Sequence, residues 1–471
     1  MIGLNRREFM AALAAGTLGA AQARKPNVIL ILLDDLGWAD FGCYGNRVIE
    51  TPNIDRLAAN GVRFTNAYAA CPVCSPTRAS ILTGKYPARL RLTDWIPGRK
   101  QWPHAKLLVP EFEQQLPLKE ITIAEALRPF GYQSASIGKW HLGGAGFGPE
   151  QQGFQLNVAG TEKGSPPSYF GPFDLPGLKS ESKEDSLTEM LTAAAEKFIE
   201  SVYERGPFFL YLPEFAVHTP LQARPEVVEK YRKKDTKIHP VYAAMVESVD
   251  QAVGRIRKKL VELGIQDNTI LVLTSDNGGL RYEGRSKVLV TDNSPLRAGK
   301  GHLYEGGIRE PLLIYWPGVT KPGRVLDTPV SSIDLLPTIL EMTGARSSIP
   351  KDIDGVSLAP LLRGGPPPRR DELFWHYPHY SNQGGVPSGA IRRGDFKLIE
   401  FYEDGRLELF NLKEDPGERV NLVRKMPDTA KDLHRRLQAW RQSVKAAMPK
   451  ENPNYDPAMA DQGLTGVEPI T

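Results

Sequence analysis

Four short apolar runs, each followed by polar residues, constrain the fold of this chain more than any other feature. The runs are NVILILL (27–33), QSASIG (133–138), PFFLYLP (207–213) and TILVLTS (269–275). Each is bounded by Gly, Pro, Asp or Asn, as buried strands are. Helical patterns lie between them, such as NIDRLAANG (53–61) and VYAAMVESVDQAVGRIRKKLVELG (241–264). This alternation predicts an α/β fold, with a large, mostly parallel sheet between layers of helices.

Polar side chains follow each run at the point where the strand would end. They are Asp34 and Asp35, then Lys139 and His141, then His218, then Asp276 and Asn277. Ligands of open α/β sheets bind beyond the carboxyl ends of the strands, so these groups are expected to converge on one site. Each group alone is also ordinary turn chemistry, and the inference therefore depends on the four together.

The carboxylates of this expected site favour a metal ion. Asp34, Asp35 and Asp276 supply hard oxygen donors, and Asn277 adds a neutral carbonyl oxygen. The set suits Ca²⁺ or Mg²⁺ better than Zn²⁺, for which His or Cys ligands are expected. A bound cation would also remove the cost of holding three carboxylates together.

A predicted helix begins immediately after Cys74 in the segment CPVCSPTRASILTGKYP. Ser75 is a good N-cap and Pro76 suits the first turn, while Gly84 marks the end of the helix. Residue 74 would then face the positive end of the helix, beside Arg78, where an anion is favoured.

Three roles are open for Cys74. Its C-x-x-C spacing with Cys71 matches a redox pair, but the short βαβ domain that surrounds such motifs is missing. A zinc site would need a second ligand pair, and the only other cysteine is Cys43. The third role is that of the reactive group in an anion-binding site beside a hard cation. Whether Cys43 and Cys71 form a disulfide is left open.

The segment that starts at Cys74, CSPTRASILTG, resembles the signature of the type I sulfatases, in which that cysteine is oxidised to formylglycine. Further segments match the family's pattern in the same order: PNVILILLDDLGW, TPNIDRLAANGVRFTNAY, GKWHLG, TSDNGG and GKGHLYEGGIREP. The resemblance covers residues 25 to about 345. It implies an arylsulfatase-like sulfuric ester hydrolase with the fold of the alkaline-phosphatase superfamily.

The resemblance also implies a cofactor and a nucleophile. The metal, Ca²⁺ or Mg²⁺, would be bound by Asp34, Asp35, Asp276, Asn277 and an oxygen of modified residue 74. The formylglycine aldehyde would hydrate to a gem-diol, which is polarised by the metal and by Arg78. A formylglycine-generating enzyme or an anaerobic sulfatase-maturating enzyme would have to make this modification.

Four further residues acquire roles from the same resemblance. Lys139 and Lys300 would bind the sulfate oxygens, where charge must be stabilised during transfer. His218 would protonate the leaving alcohol, and His141 would help the second hydroxyl to release sulfate.

The segments expected at the mouth of the site favour a sulfated carbohydrate substrate. RLTDWIPGR (91–99), GSPPSYFGPF (164–173) and FWHYPHY (374–380) offer aromatic faces for stacking on a pyranose. Contacts to the sugar are expected from Asp94, Trp95, Arg99, His376 and His379. These stretches also resemble those of bacterial sulfatases that act on galactose-type residues, which implies a 4- or 6-sulfate on galactose or N-acetylgalactosamine. The alternative is that the aromatic residues pack in the core.

Two other functions remain open. A phosphoester or phosphonate monoester hydrolase would share the superfamily fold, because phosphate and sulfate esters are similar tetrahedral anions. A non-catalytic periplasmic sugar-binding protein would keep the fold without the chemistry, although every expected catalytic group is present. Nucleic acid is not expected as a partner, because the formal charge is only +4 over 471 residues and the basic residues are dispersed.

The two ends of the chain predict export and a second domain. Residues 1–23 resemble a twin-arginine export signal, which would use the twin-arginine machinery and leave a periplasmic or secreted protein with no transmembrane span. Residues 24–365 are the predicted catalytic domain. After a Gly- and Pro-rich linker, residues 366–471 are predicted to form a small antiparallel sheet with a hairpin at Asp404-Gly405, a closing helix and a tail that is unstructured from about 450.

Overall fold

The computed structural model describes residues 24–283 and 288–460 of the chain. The predicted export signal, residues 1–23, lies outside the described residues, as do residues 461–471 of the tail. Within the described ranges no helix is long and apolar enough to cross a membrane.

The strands, in chain order, are β1 Asn27–Leu33, β2 Val62–Tyr68, β3 Leu107–Leu108, β4 Gln133–Ile137, β5 Leu156–Val158, β6 Phe173–Leu175, β7 Leu178–Ser180, β8 Phe208–Pro213, β9 Thr269–Ser275, β10 Tyr282–Glu283, β11 Val288–Leu289, β12 Arg309–Tyr315, β13 Arg324–Leu326, β14 Val330–Ser331, β15 Glu372–Tyr377, β16 Ser388–Arg393, β17 Phe396–Phe401, β18 Leu407–Asn411 and β19 Lys450–Glu451. The α-helices are α1 Pro52–Asn60, α2 Cys74–Thr83, α3 Pro87–Leu90, α4 Ile123–Leu127, α5 Leu187–Val202, α6 Pro225–Arg232, α7 Pro240–Glu262, α8 Glu305–Ile308, α9 Leu335–Met342, α10 Ala359–Leu362, α11 Pro427–Ser443 and α12 Pro457–Ala460.

The large sheet confirms the predicted fold class. Its order is β13-β2-β12-β9-β1-β8-β4-β5, with β14 also paired to β2. The four apolar runs predicted as strands are β1, β4, β8 and β9, and they lie side by side in the sheet. β1 pairs in parallel with both β8 and β9, and β8 pairs in parallel with β4. β12 runs antiparallel to its neighbours β2 and β9, which makes the sheet mixed.

Helices cover both faces of this sheet, and the central strand β1 shows why its sequence is continuously apolar. Ile29, Ile31 and Leu33 belong to one apolar core, which α5, α6 and α7 close. The alternate residues Val28, Leu30 and Leu32 belong to the other core, which α2, α4 and α9 close. A strand buried on both faces has no polar side, so its period of two is hidden in the sequence.

The C-terminal subdomain is an antiparallel sheet, β15-β16-β17-β18, with α11 on one face. β17 and β18 pair in antiparallel fashion on either side of Asp404-Gly405, at the predicted hairpin. The opposite face packs on the large domain, where Trp375 and Ile399 join a core with Tyr68. The predicted boundary at residue 365 falls in the connection between α10 and β15.

The tail was predicted to be unstructured from about residue 450, but its described part, residues 450–460, contains a strand and a helix. β19 pairs with β3 in antiparallel fashion, and α12 follows it. The buried side chain of Asn452 donates to the carbonyl oxygens of Pro103 at 2.8 Å and of Ala105 at 2.6 Å. These contacts come from a segment far away in the sequence, and the polar tail itself carries no periodicity that would indicate them.

Candidate active site

The polar groups that follow the central strands lie at one edge of the large sheet. β1, β4, β8 and β9 run in the same direction, so their carboxyl ends share that edge. β12 runs the other way, and the chain that leads into it therefore reaches the same edge. This reversal brings Lys300 beside Asp35, with the lysine Nζ donating to the carboxylate at 2.7 Å.

Arg78 and Lys139 bind the buried carboxylates of the cluster. The Nε of Arg78 donates to Asp276 Oδ2 at 2.8 Å, and its guanidinium also lies 3.4 Å from Asp34 Oδ2. The Nζ of Lys139 donates to the same Asp34 oxygen. All four side chains are fully buried. The cluster is therefore a network of charges within hydrogen-bonding distance and shielded from water, where electrostatic interactions are strong.

Burial and neighbouring charge act in opposite directions on two of these carboxyl groups. Burial, together with the nearby charge of Asp34, raises the pKa of Asp276 to about 7. Burial also acts to raise the pKa of Asp34, but the surrounding cations, Lys139 foremost, hold that pKa below its usual value. Asp34 is accordingly the more acidic of the pair, and Asp276 is the one that an additional cation would most help to ionise.

The donor set fits a hard divalent cation. Asp34, Asp35 and His218 each place a possible ligand atom within 4.8 Å of the others. Asp34 Oδ1 and Asn277 Oδ1 are buried and accept no hydrogen bond from the described residues. Buried oxygen atoms without a partner are costly. Oxygen atoms of this kind are the ligands that Ca²⁺ and Mg²⁺ prefer. His218 was not among the predicted ligands.

Unusual backbone conformations turn the chain at this edge. Asp35 and His141 have positive φ angles of 62° and 56°, which are uncommon for residues with a Cβ and often mark functional sites. Gly138 has a φ of 126°, and a Cβ there would lie 2.0 Å from the carbonyl oxygen of Pro213. The glycine therefore lets β4 turn closely against β8, so that Lys139 and His141 enter the cluster.

Cys74 lies at the first residue of α2, inside the charge cluster. The helix begins at Cys74, with Val73 and not the predicted Ser75 as its N-cap residue, and it ends at Thr83, where Gly84 follows with a left-handed φ of 71°. Every residue of this helix is buried. Burial raises the pKa of the Cys74 thiol even though Lys139 and Lys300 oppose the shift. The unmodified thiol is thus a poor nucleophile in this setting.

His141 presents a proton acceptor to residue 74. Its Nε2 lies 2.6 Å from the carbonyl oxygen of Ile96, and its Nδ1 lies 3.4 Å from Cys74 Sγ. A carbonyl oxygen only accepts, so Nε2 carries the proton and Nδ1 has a lone pair directed at residue 74. Burial, with the Lys139 charge, lowers the pKa of His141 well below its usual value and keeps the ring neutral.

His218 is oriented by a backbone carbonyl and retains some contact with solvent. Its Nδ1 lies 2.7 Å from the carbonyl oxygen of Thr219, and its Nε2 lies 3.6 Å from Asp35 Oδ2. The side chain is 18% exposed, whereas Asp35 is buried. Burial, and then the Lys300 charge, lower the pKa of His218. The ring can therefore exchange a proton at Nε2 with a group that enters from solvent.

The other two cysteines lie outside this arrangement. All three cysteines are free, so the structure contains neither a Cys71–Cys74 redox disulfide nor a Cys43–Cys71 pair. Cys71 is buried, and its Sγ lies 4.0 Å from the carbonyl oxygen of Thr93. In the described ranges, the group of side chains that could hold a metal contains no cysteine. Of the three roles open for Cys74, the reactive group is the one that this geometry favours.

The structure separates the five residues that were predicted to contact a sugar. His376 is buried and uses both ring nitrogens, with Nδ1 2.8 Å from the Tyr402 hydroxyl and Nε2 2.9 Å from the carbonyl oxygen of Ala447. Neither nitrogen remains for a sugar hydroxyl. We therefore do not retain His376 as a substrate contact, and its position in the sequence gave no indication of these partners.

Asp94, Arg99 and His379 line one small cavity. Their proximity agrees with the prediction that they contact the same ligand, but the cavity is too small for a sugar ring. The cavity measures about 10 Å³, which is room for one water molecule. Asp94 and His379 are both only 2% exposed. Trp95 and Arg99 are half-buried, so they are the two of the five that can reach a ligand from this segment.

Ile96 is a functional residue that the sequence did not reveal. Its carbonyl oxygen sets the tautomer of His141, and its backbone N–H donates to Ser75 Oγ at 3.2 Å. Both interactions use the main chain, which every residue type carries. The side chain therefore gives no signal of the role.

The sequence matches two known family models. The family model described as Sulfatase matches residues 26–345, which is more than half of the 471 residues. The chain belongs to the sulfatase family. The model described as N-sulphoglucosamine sulphohydrolase, C-terminal, matches residues 298–443 of this sulfatase.

Named relatives and a solved structure agree with the assignment. Arylsulfatase A of Homo sapiens is 34% identical, over 88% of this chain and 86% of that protein. N-acetylgalactosamine-6-sulfatase of Mus musculus is 34% identical, over 87% of this chain and 79% of that protein. The crystal structure of Ps i-CgsB in complex with k-i-k-neocarrahexaose has a TM-score of 0.76 and 29% identity, covering 94% of this chain and 97% of that chain. The protein is thus a sulfuric ester hydrolase, the first of the functions that the sequence left open.

Proposed function

We propose that this sulfatase hydrolyses a 4- or 6-sulfate on galactose or N-acetylgalactosamine in a carbohydrate, with formylglycine formed from Cys74 and with bound Ca²⁺ or Mg²⁺. The observation that carries the proposal is the contact between residue 74 and the lone pair of His141 Nδ1, 3.4 Å apart, within a buried cluster of cations and carboxylates. A proton acceptor in contact with residue 74 supports a reactive role for that residue, because a structural thiol would not need one.

The cation and the modified residue would supply the chemistry that the cysteine form lacks. Asp34, Asp35, Asp276 and Asn277 would hold the cation, whose charge polarises the sulfate ester and the residue beside it. As formylglycine, residue 74 would offer a hydrated aldehyde in place of a thiol whose pKa burial raises.

The cations of the chain are placed to bind the sulfate group. Lys139 and Lys300 contact Asp34 and Asp35, the same carboxylates that would hold the metal. A sulfate beside that metal would therefore lie near both ammonium groups. Arg78 is held by Asp276 and keeps a fixed orientation. Positive charge that is already in position costs no reorganisation when negative charge develops on the sulfate oxygens.

The two histidines divide the proton transfers between them. His141 is held neutral and directs Nδ1 at residue 74, so it would accept a proton from the group there. His218 donates from Nδ1 to a carbonyl oxygen, so Nε2 carries a proton only in the imidazolium form, which the neighbouring Asp35 favours. That form would deliver the Nε2 proton to the leaving alcohol oxygen on the solvent side.

The carbohydrate substrate is supported by the relatives and by the rim of the site. One relative is named for N-acetylgalactosamine 6-sulfate, and one structural neighbour is a complex with neocarrahexaose. In this chain, Trp95 and Arg99 lie on either side of Ile96, whose main chain contacts His141 and Ser75. A half-buried aromatic ring and a guanidinium are groups that suit a pyranose face and its hydroxyls.

We place the mature protein in the periplasm or outside the cell. The twin-arginine pattern within residues 1–23 supports export. The CSPTR segment supports modification by a formylglycine-generating or anaerobic sulfatase-maturating enzyme, which would have to act on Cys74 before the buried helix α2 is complete.

The test is a panel of sulfated sugars assayed for released inorganic sulfate. It would contain galactose and N-acetylgalactosamine 4- and 6-sulfates, N- and 6-sulfated glucosamine, and 4-nitrophenyl sulfate and phosphate. We expect cleavage of a galacto-configured sulfate and of 4-nitrophenyl sulfate, with no activity in the Cys74→Ala variant. Cleavage of only glucosamine sulfates would overturn the substrate, and a preference for the phosphate ester would overturn the sulfatase chemistry proposed for the site.

A further inference from the structure

A segment near the C-terminal end of the described residues pairs with a loop that borders the active site. We call residues 447–454 the strap and residues 99–109 the rim loop. In the strap, β19 pairs with β3 of the rim loop. Asn452 adds three hydrogen bonds to the rim loop: its backbone N–H donates to the carbonyl oxygen of Lys106 at 3.2 Å, and its side-chain amide donates to the carbonyl oxygens of Pro103 and Ala105.

The strap is itself held at its start by His376. The ring Nε2 of His376 lies 2.9 Å from the carbonyl oxygen of Ala447, and the ring is buried in the C-terminal subdomain. At its far end, the carbonyl oxygen of Asn454 lies 3.2 Å from His104 Nδ1. The strap is therefore attached to the subdomain on one side and to the rim loop on the other.

The Trp102 ring of the rim loop connects the strap to Arg99. The Trp102 ring packs against Tyr380, with centroids 4.9 Å apart, and the Arg99 guanidinium lies 4.7 Å above the Trp102 ring. Arg99 also donates to the carbonyl oxygen of Ser381 at 2.9 Å. A cation stacked on a ring in this way depends on where the ring is held. Asn452 bonds the residues that immediately follow Trp102.

The active site adjoins the rim loop at its other end. Ile96, three residues before Arg99, contacts both His141 and Ser75. The strap contacts the rim loop and the subdomain, and within the described residues its connection toward the reacting groups runs through Trp102 and Arg99. Its influence should therefore fall on whatever part of the substrate extends toward Arg99.

We propose that Asn452 is a positioning residue for substrate specificity: through the rim loop it holds Trp102, and thereby Arg99, where they contact the sugar of a sulfated carbohydrate. This inference rests on the proposed function, because it requires a sugar substrate. A small aryl sulfate, which lacks the sugar, should not depend on Asn452.

The test compares Asn452→Ala with Asn454→Ala. Asn454 is in the same strap, but its side chain is exposed, so it is a matched control. With the best sulfated disaccharide of the panel, Asn452→Ala should raise KM by roughly fivefold or more, as the loss of two buried hydrogen bonds allows. Its kcat, and both constants for 4-nitrophenyl sulfate, should stay near those of the wild type, and Asn454→Ala should match the wild type throughout.

A double-mutant cycle with Arg99→Ala makes the route of the effect testable. If Asn452 acts through Arg99, then Asn452→Ala should raise KM for the disaccharide little further in the Arg99→Ala background. Equal losses with both substrates, unchanged kinetics in Asn452→Ala, or full additivity with Arg99→Ala would each overturn the proposal.

The wild-type assay separates this failure from that of the proposed function. If the wild type cleaves 4-nitrophenyl sulfate but no sulfated sugar, then the carbohydrate substrate and the role of Asn452 both fail. If the wild type cleaves a sulfated sugar and Asn452→Ala cleaves it with the same KM, then only the role of Asn452 fails.

Discussion

At the scale of single residues, His141 is the group whose chemistry the structure defines most closely. Its tautomer follows from one carbonyl contact, and its acceptor nitrogen lies against residue 74. We predict that His141→Gln lowers kcat by about 100-fold or more while KM changes little, because the role proposed for the ring is proton transfer and not substrate binding. The assay is 4-nitrophenyl sulfate hydrolysis. His434→Gln, on α11 beside Glu400, is the control, and an unchanged kcat in His141→Gln would contradict the role.

Glu214, after β8, gives a second prediction at this scale. Both of its carboxyl oxygens are buried without a hydrogen bond from the described residues, and burial raises its pKa to about 8 from an ordinary value of 4.5. A carboxyl group whose folded pKa is raised contributes stability that is complete below pH 4.5 and is lost as the pH rises through about 8. We therefore expect Glu214→Gln to reduce the fall in Tm between pH 5 and pH 8.5, as measured by differential scanning calorimetry. A fall identical to that of the wild type would show that Glu214 ionises without penalty.

The sequence predicted the identity of the clustered residues better than their contacts. Asp34, His141 and Asp276 could be predicted because each follows an apolar strand, and the strand ends of a parallel sheet meet at one edge. The contact of the Ile96 carbonyl and the partners of His376 could not be predicted, because main-chain contacts and burial by distant segments do not depend on residue type in a way that the sequence shows.

At the scale of structural elements, a buried ion cluster joins the loop that carries Lys300 to the C-terminal sheet. The Nζ of Lys397, on β17, lies 2.9 Å from a carboxylate oxygen of Glu305 and 2.9 Å from one of Glu418. The Tyr68 hydroxyl donates to Glu305 at 2.8 Å. All three charged side chains are fully buried, so each charge depends on its partners for solvation.

We predict that Lys397→Met lowers the free energy of unfolding by about 3–5 kcal/mol, because it removes the cation that pairs with buried Glu418 and leaves Glu305 with the more distant Arg309 guanidinium at 3.5 Å. It should also lower kcat, because α8, which begins at Glu305, follows Lys300 closely in the chain. Denaturant unfolding and aryl sulfate kinetics measure the two effects. Lys413→Met removes an exposed lysine of the same subdomain and should change the free energy of unfolding by less than about 0.5 kcal/mol. Equal free energies of unfolding for the two variants would show that the ion cluster does not stabilise the contact between the Lys300 loop and the C-terminal sheet.

Elements marked by a bounded apolar run or by a clear helical period were predicted to within a residue or two, as β1 and β9 show for the first kind and α7 for the second. The reversed direction of β12 was not predictable, because a strand buried on both faces reads the same in either direction. Yet that reversal is what delivers Lys300 to the site. The formation of β19 likewise depends on a partner strand, β3, more than three hundred residues earlier in the chain.

At the scale of the whole molecule, the metal should couple stability to activity. The carboxylate cluster joins loops after β1, β8 and β9, and two of its buried oxygens lack partners within the described residues. A cation that binds only the folded state raises its stability by mass action. We predict that chelation lowers both activity and Tm and that Ca²⁺ restores both.

Two variants separate the metal from catalysis. Cys74→Ala should be inactive but should keep a rise in Tm on addition of Ca²⁺, whereas Asp276→Ala should lose most of that rise. A wild-type protein whose Tm and activity both survive exhaustive chelation, confirmed by elemental analysis, would contradict a metal at this site.

The architecture of the molecule as a whole followed from the alternation of strands and helices and from the Gly- and Pro-rich connection near residue 365. The way in which the small sheet packs on the large domain did not, because that contact involves Trp375 and Tyr68, which nothing in the sequence pairs. The contact between the two domains was therefore the least predictable part of the fold.

The most direct measurement of the central claim relates the state of residue 74 to the rate of sulfate release. Preparations with different extents of maturation would be analysed by mass spectrometry of the peptide that contains residue 74, where formylglycine is about 18 Da lighter than cysteine. The same samples would be assayed for inorganic sulfate released from 4-nitrophenyl sulfate. We predict a rate that is proportional to the converted fraction and that extrapolates to zero for the thiol. Full activity in protein that carries only the unmodified Cys74 would contradict the account.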